Sequence, residues 1–110
     1  MKNNRREIIE EAWNNRDLLN CEDTKECIRT IINDIDTGLL RPANPSKEGW
    51  VINEWIKKAI ILYFPIQNMK TIEIGPFHFH DKMKLKKNYE EIGVRVVPHA
   101  IARYGSFLAK

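Results

Sequence analysis

The sequence predicts an α+β fold: a small, mainly helical domain with one short hairpin, running into strand at its carboxy-terminal end. Apolar residues recur at one-turn spacing in separate stretches between residues 5 and 64. A run of turn formers, Asn44-Pro45-Ser46-Lys47-Glu48-Gly49, separates two short apolar segments. β-Branched residues gather late, at Val94, Val96 and Val97.

Asn4 followed by Glu7 gives a capping-box-like start, and Ile8, Ile9, Ala12 and Trp13 then predict a helix from about Arg5 to Arg16. Asp23 with Glu26 repeats the device. Cys27, Ile28, Ile31, Ile32 and Ile35 form the stripe of a second helix, and Gly38 is placed to end it in a left-handed conformation. Leu39 to Ala43 and Trp50 to Ile52 are read as the two arms of a hairpin or looser paired loop. A third helix, the central one, begins at Asn53. Its face is Trp55, Ile56, Ala59, Ile60, Tyr63 and Phe64, widened by Ile61 and Leu62 and stopped by Pro65. Met69 to Ile74 reads as a strand ended by Gly75-Pro76, before the aromatic and histidine segment Phe77 to His80 and the basic stretch Asp81 to Lys87. A short helical or irregular piece through Tyr89 and Glu91 stops at Gly93, and Val94 to Val97 form a strand that Pro98 ends or bends.

The 110 residues, 43% hydrophobic and 30% charged, suffice for one ordinary domain with a modest core. The net charge of +3 comes from 18 basic and 15 acidic residues mixed along the chain, too mild an imbalance to argue for nucleic acid. Residues 1 to 6 have the basic start of a targeting segment, but Glu7, Glu10 and Glu11 interrupt the apolar region it would need. The longest apolar run, Ala59 to Ile66, is far short of the roughly 20 residues that cross a bilayer, so no membrane partner and a cytoplasmic location are expected. Cys21 and Cys27 match neither a zinc nor a redox spacing and read as reduced, ordinary thiols.

Ile101 and Phe107 lie six residues apart with Gly105 between them, which fits one rung fragment of a hexapeptide β-helix. A single coil cannot bury its apolar face without neighbours stacked on it, so most of such a β-helix is expected to be missing.

The string Gly93-Val94-Arg95-Val96-Val97-Pro98-His99-Ala100-Ile101-Ala102-Arg103-Tyr104-Gly105-Ser106-Phe107-Leu108-Ala109 is similar to the junction of tetrahydrodipicolinate N-succinyltransferases. Trp50-Val51-Ile52-Asn53-Glu54-Trp55-Ile56-Lys57-Lys58-Ala59-Ile60 resembles the family's W-V-x-x-x-W-[LI]-K-K-A-[VI] segment, and Asp36-Thr37-Gly38-Leu39-Leu40-Arg41 its D-x-G-x-L-R turn. His80-Asp81-Lys82 fits a further signal, while Lys84 stands where the family pattern has proline. The resemblance implies an acyltransferase of the diaminopimelate and lysine biosynthesis pathway. It would move succinyl from succinyl-CoA, its acyl-donor co-substrate, to the amine of ring-opened tetrahydrodipicolinate, with no bound cofactor. It also implies a helical amino-terminal domain over residues 1–92, a junction and first partial coil of a left-handed parallel β-helix over 93–110, and a homotrimer for the full-length family. These residues alone, as the front of a truncated β-helix, are expected to be inactive.

Arg95 is the candidate substrate-binding residue. Strand alternation puts Val94 and Val96 on one side and Arg95 on the other with Val97. Arg95 occupies the arginine of the family's G-[FV]-R-[VA]-V-P motif, and a guanidinium holds a carboxylate of a diacid through paired, charge-assisted hydrogen bonds. Its ordinary alternative is a structural pair with Glu90 or Glu91. No catalytic acid, base or oxyanion donor can be assigned. Arg103 reads as a surface ion pair, and Lys57 and Lys58 as the solvated stripe of their helix. His78 and His80 would share a strand face, but no third ligand stands at a telling spacing, so they read as partly buried, hydrogen-bonded imidazoles and no metal is expected. His99 reads as a loop histidine. Lys82, Lys84, Lys86 and Lys87 read as a solvated basic edge rather than a nucleic-acid surface. The alternative function is a non-catalytic helical interaction module that self-associates through an unfinished β-helix face; a small nucleic-acid-binding domain ranks below both.

Overall fold

The computed structural model describes residues 4–110, so part of the targeting-segment reading of residues 1 to 6 lies outside the described residues. Helix α1 spans Arg5–Asn14, a 3-10 segment spans Arg16–Asn20, and α2 runs Glu22–Asp36. The hairpin β1 Ala43–Ser46 and β2 Gly49–Ile52 leads into α3, Glu54–Tyr63, which a 3-10 turn at Phe64–Ile66 closes around Pro65. A second antiparallel hairpin follows, β3 Lys70–Ile74 and β4 Phe77–Asp81, then the short α4, Tyr89–Ile92.

The core lies where α1, α2 and α3 pack on one another. Ile9, Ile28, Ile31 and Leu62 are fully buried, each contributing about 1.5–3 kcal/mol by leaving water. The whole predicted stripe of α2 is inside. On α3 the burial is asymmetric: Leu62 is sealed, whereas Ile61 is 51% exposed and does not widen the buried face. Neither expected capping box closes. Asn4 makes no side-chain cap bond, and α2 starts two residues earlier than Asp23 suggests, with Cys21 as its capping residue.

Gly38 ends α2 as its spacing predicts, at φ +87°. The Leu39 amide donates to the Asp34 carbonyl at 2.8 Å and the Gly38 amide to that of Ile35 at 3.1 Å, the paired bonds of a Schellman turn. A second reason for glycine is steric, since a Cβ here would lie 2.6 Å from Cε1 of Phe107.

The first hairpin is offset from the predicted one. Leu39 and Leu40 belong to the exit of α2, and Asn44, Pro45 and Ser46 lie in β1, paired with Val51, Trp50 and Gly49. Lys47 and Glu48 alone form the turn, held by Ser46 Oγ donating to the Gly49 carbonyl at 2.6 Å. The aromatic and histidine segment is a full strand, with Ile72 opposite Phe79 and Thr71 opposite His80. His78 and His80 are exposed rather than partly buried; His80 Nδ1 meets Thr71 Oγ1 at 2.9 Å.

The radius of gyration, 15.7 Å, exceeds the about 13 Å expected of a compact chain of this length, in keeping with hairpins that pair mainly with themselves. No helix is long and apolar enough to cross a membrane among the described residues.

Candidate functional site

Helix α4 is one turn long and stops at Gly93, whose φ of +75° reverses the chain. The Val94 amide donates back to the Tyr89 carbonyl at 2.9 Å, which fixes the direction in which residues 94–97 leave. These residues are not a ladder strand. They find no pairing partner among the described residues, and β-branched character sets only a preference until another strand supplies hydrogen bonds. Their side chains alternate nonetheless: Val94 and Val96 are half-buried, Arg95 and Val97 exposed.

Arg95 stands on the wall of an open cleft of about 620 Å³. Tyr89, Val94, Val96, Ile101 and Leu108 make much of the rest, so the lining is largely apolar with one guanidinium. Among the described residues Arg95 has neither an ion pair nor a side-chain hydrogen bond, and the alternative pairing with Glu90 or Glu91 is not formed. Chemically, such a cleft suits a molecule with a hydrocarbon body and a terminal carboxylate.

Residues 101–109 lie in no regular strand among the described residues. Ile101 and Phe107 are both exposed, and among the described residues the one β contact is an isolated antiparallel bridge between Leu85 and Arg103. What holds this segment is the end of α2. Asp36 Oδ1 accepts the Gly105 amide at 2.7 Å and Lys86 Nζ at 2.8 Å, and Lys86 also donates to the Asp36 carbonyl at 3.0 Å. Tyr104 Oη donates to Asn33 Oδ1 at 3.0 Å. The Asp36-Thr37-Gly38 motif is thus a clasp for the chain beside the cleft.

Lys86 departs most clearly from its expected place on a solvated edge: it is buried, because Asp36 and the carbonyl end of α2 replace its water. Lys84 keeps to the surface with Nζ 4.6 Å from the Tyr104 ring centre, and Lys82 donates to the Phe64 carbonyl at 3.1 Å. Lys57 is solvated as predicted, but Lys58 reaches Glu10 at 2.8 Å and ties α3 to α1. Arg103 makes the predicted surface pair, its Nε and Nη2 donating to one oxygen of Asp81 at 3.0 and 2.6 Å. That hydrogen bonding holds the Asp81 carboxyl below the usual carboxylate range. His99 is an exposed loop residue at φ +78°, its ring edge-on to Phe77. No group of three His, Cys, Asp or Glu converges among the described residues.

Sequence reasoning missed Tyr89 as a wall of the cleft and Asp36 as the clasp. For Asp36 a signal existed, its place beside Gly38 in a recognisable turn; for Tyr89 none did.

A family model described as Tetrahydrodipicolinate N-succinyltransferase N-terminal matches residues 4–66, more than half of the chain. Among similar curated proteins, one from Cupriavidus necator is 36% identical over 94% of this chain and 42% of its own length. One from Bordetella petrii is 38% identical over 93% of this chain and 41% of its own, and one from Coxiella burnetii 41% identical over the same shares. All three are named 2,3,4,5-tetrahydropyridine-2,6-dicarboxylate N-succinyltransferase. The chain spans about two fifths of the length of these relatives. By its helices, its motifs and this match, the chain belongs to the tetrahydrodipicolinate N-succinyltransferase amino-terminal family.

Proposed function

We propose that this chain is the amino-terminal, acceptor-binding part of an enzyme that transfers succinyl from succinyl-CoA to the amine of ring-opened tetrahydrodipicolinate, in diaminopimelate and lysine biosynthesis. The supporting observation is Arg95: exposed, free of protein partners among the described residues, and set in a mainly apolar cleft. Its guanidinium grips one carboxylate of the diacid in a bidentate pair while the apolar wall takes the carbon chain. The acceptor amine then attacks the thioester carbonyl, an N–C bond forms, the C–S bond breaks, and the amine proton leaves with the CoA thiol. A group to take that proton and donors for the oxyanion belong to further residues, coils of a left-handed β-helix in a homotrimer, which residues 93–110 would lead into while residues 1–92 form the helical domain. On this reading the protein works in the cytoplasm on small molecules and needs no bound cofactor.

Titration calorimetry with pimelate, a seven-carbon diacid, tests the Arg95 assignment. Binding should be measurable for the parent chain and weakened at least about tenfold in Arg95→Ala, with Arg95→Lys in between because an ammonium cannot pair bidentately. Equal binding by parent and Arg95→Ala would remove the assignment. In a thiol-release assay these 110 residues alone should release no CoA above that variant.

A second reading, a self-associating interaction module, is favoured by the exposure of Val97, Ile101 and Phe107 on neighbouring turns of chain. Light scattering separates the two: a strictly monomeric chain at high concentration counts against it.

A further inference from the structure

Where β3, β4 and the following loop lie against α2 and the end of α3, they form a half-open pocket of about 300 Å³ that shares no lining residue with the Arg95 cleft. Arg29, Lys70, Lys82 and Lys84 line it, and none of the four has a carboxylate partner among the described residues. The sole acidic residue of the lining, Asp81, is already neutralised by Arg103. The nearby Asp34 and Asp36 are likewise taken, by Arg5 and Lys86. Cationic side chains left unpaired around one concavity repel one another, and that repulsion is relieved when an anion enters.

The neutral groups point the same way. A tyrosine hydroxyl is an uncharged donor at neutral pH, burial pushes that of Tyr63 further above the ordinary phenol range, and among the described residues it has no hydrogen-bond partner. Among the described residues Arg29 spends only its Nε, on Gln67 Oε1 at 3.4 Å, which leaves the outer face of its guanidinium for a ligand. Lys82 gives one of its three protons to the Phe64 carbonyl. Donors therefore remain on α2, on α3 and on the loop after β4, around a space that admits a tetrahedral oxyanion with a few waters, or a compact phosphomonoester.

We infer that this cavity is a phosphate-binding site, with Arg29, Lys82 and Lys84 as its charged ligands and Tyr63 as its neutral donor. The inference does not depend on the acyl-transfer reading. The shared chemistry is a dianionic phosphate group, free or terminal on a small molecule.

The test is a two-dimensional NMR titration of the whole chain with inorganic phosphate, with glycerol 3-phosphate, and with sodium chloride at matched ionic strength. Saturable shifts at about millimolar phosphate or ester are expected, centred on Lys82, Lys84 and Tyr63, with chloride giving none. Tighter binding of the ester assigns the site to phosphorylated metabolites, and tighter binding of the ion assigns it to free phosphate. Arg29→Gln and Lys84→Gln change exposed side chains, so both variants should fold. Each should weaken binding roughly tenfold, as the loss of a charge-assisted hydrogen bond does, while Lys47→Gln in the β1–β2 turn changes nothing. Phosphate shifts no larger than those of chloride, or undiminished affinity in both cavity variants, would overturn the inference.

Discussion

Replacing Lys86 with methionine isolates what the clasp at the end of α2 is worth. The lysine side chain is 6% exposed and that of Asp36 17%, so the pair is largely out of water. Methionine keeps the stem's packing and removes two hydrogen bonds, to Asp36 Oδ1 at 2.8 Å and to its carbonyl at 3.0 Å. Stripping one partner from a fully buried ion pair costs about 3–5 kcal/mol. Here the stranded carboxylate keeps the Gly105 amide and some access to water, so about 2–3 kcal/mol is expected. For a domain of this size that is roughly 8–12 °C in Tm. Asp36→Asn should cost a similar amount, since it leaves an ammonium buried against a neutral amide. The double variant should then fall short of the summed losses by about 1.5 kcal/mol or more. Urea denaturation of all four proteins provides the measurement. A Lys86→Met loss below about 0.5 kcal/mol, or additive singles, would refute the reasoning by showing that the pair is as weak as an exposed one.

Gly38→Ala should lose more than about 2 kcal/mol, from a left-handed backbone that costs roughly 1–2 kcal/mol for other residues and from the collision with Phe107; Phe107→Ala should recover the second part only, as urea melts of the pair would show. Cys21 should react with a disulfide reagent in the folded state and Cys27 only on unfolding. The Thr24 and Asp23 amides at the start of α2 lower the exposed Cys21 thiol, though no cap bond closes, whereas burial raises Cys27. Because Arg103 depresses the Asp81 carboxyl, their tie acts in full above the ordinary aspartate pKa and is lost as pH falls through the lowered folded value. A carboxyl NMR titration should find the Asp81 midpoint below the ordinary value, and Arg103→Ala should raise it without restoring it fully, because the Lys82 and Met83 amides still hold the carboxylate.

Local rules sufficed where a segment's fate is decided within its own length. The stripe of α2 and the glycine after it, and the short α4 ended by Gly93, could be read because burial period and left-handed stops are local signals. Pairing is not local. Leu39 and Leu40 look like strand residues but serve the helix exit, while Asn44 to Ser46, poor strand formers, are drawn into β1 by a turn of Lys47 and Glu48. Val94 to Val97 have strand composition without a strand beside them among the described residues. The candidate site was half visible: the alternation that exposes Arg95 follows from period two, whereas the cleft depends on Tyr89 and Leu108 arriving from both sides in sequence. Lys86 was misread because its partner is 50 residues away, and a basic run offers no hint of which member will be buried.

The last turn of α2 grips Gly105 across 69 positions of sequence. Closing so long a loop carries a large entropic penalty that only the finished helix can offset, so α1, α2 and α3 must be assembled before the tail has anywhere to land. Residues 101–109 then join last and leave first, and their amides should exchange with deuterium well before those of the helices.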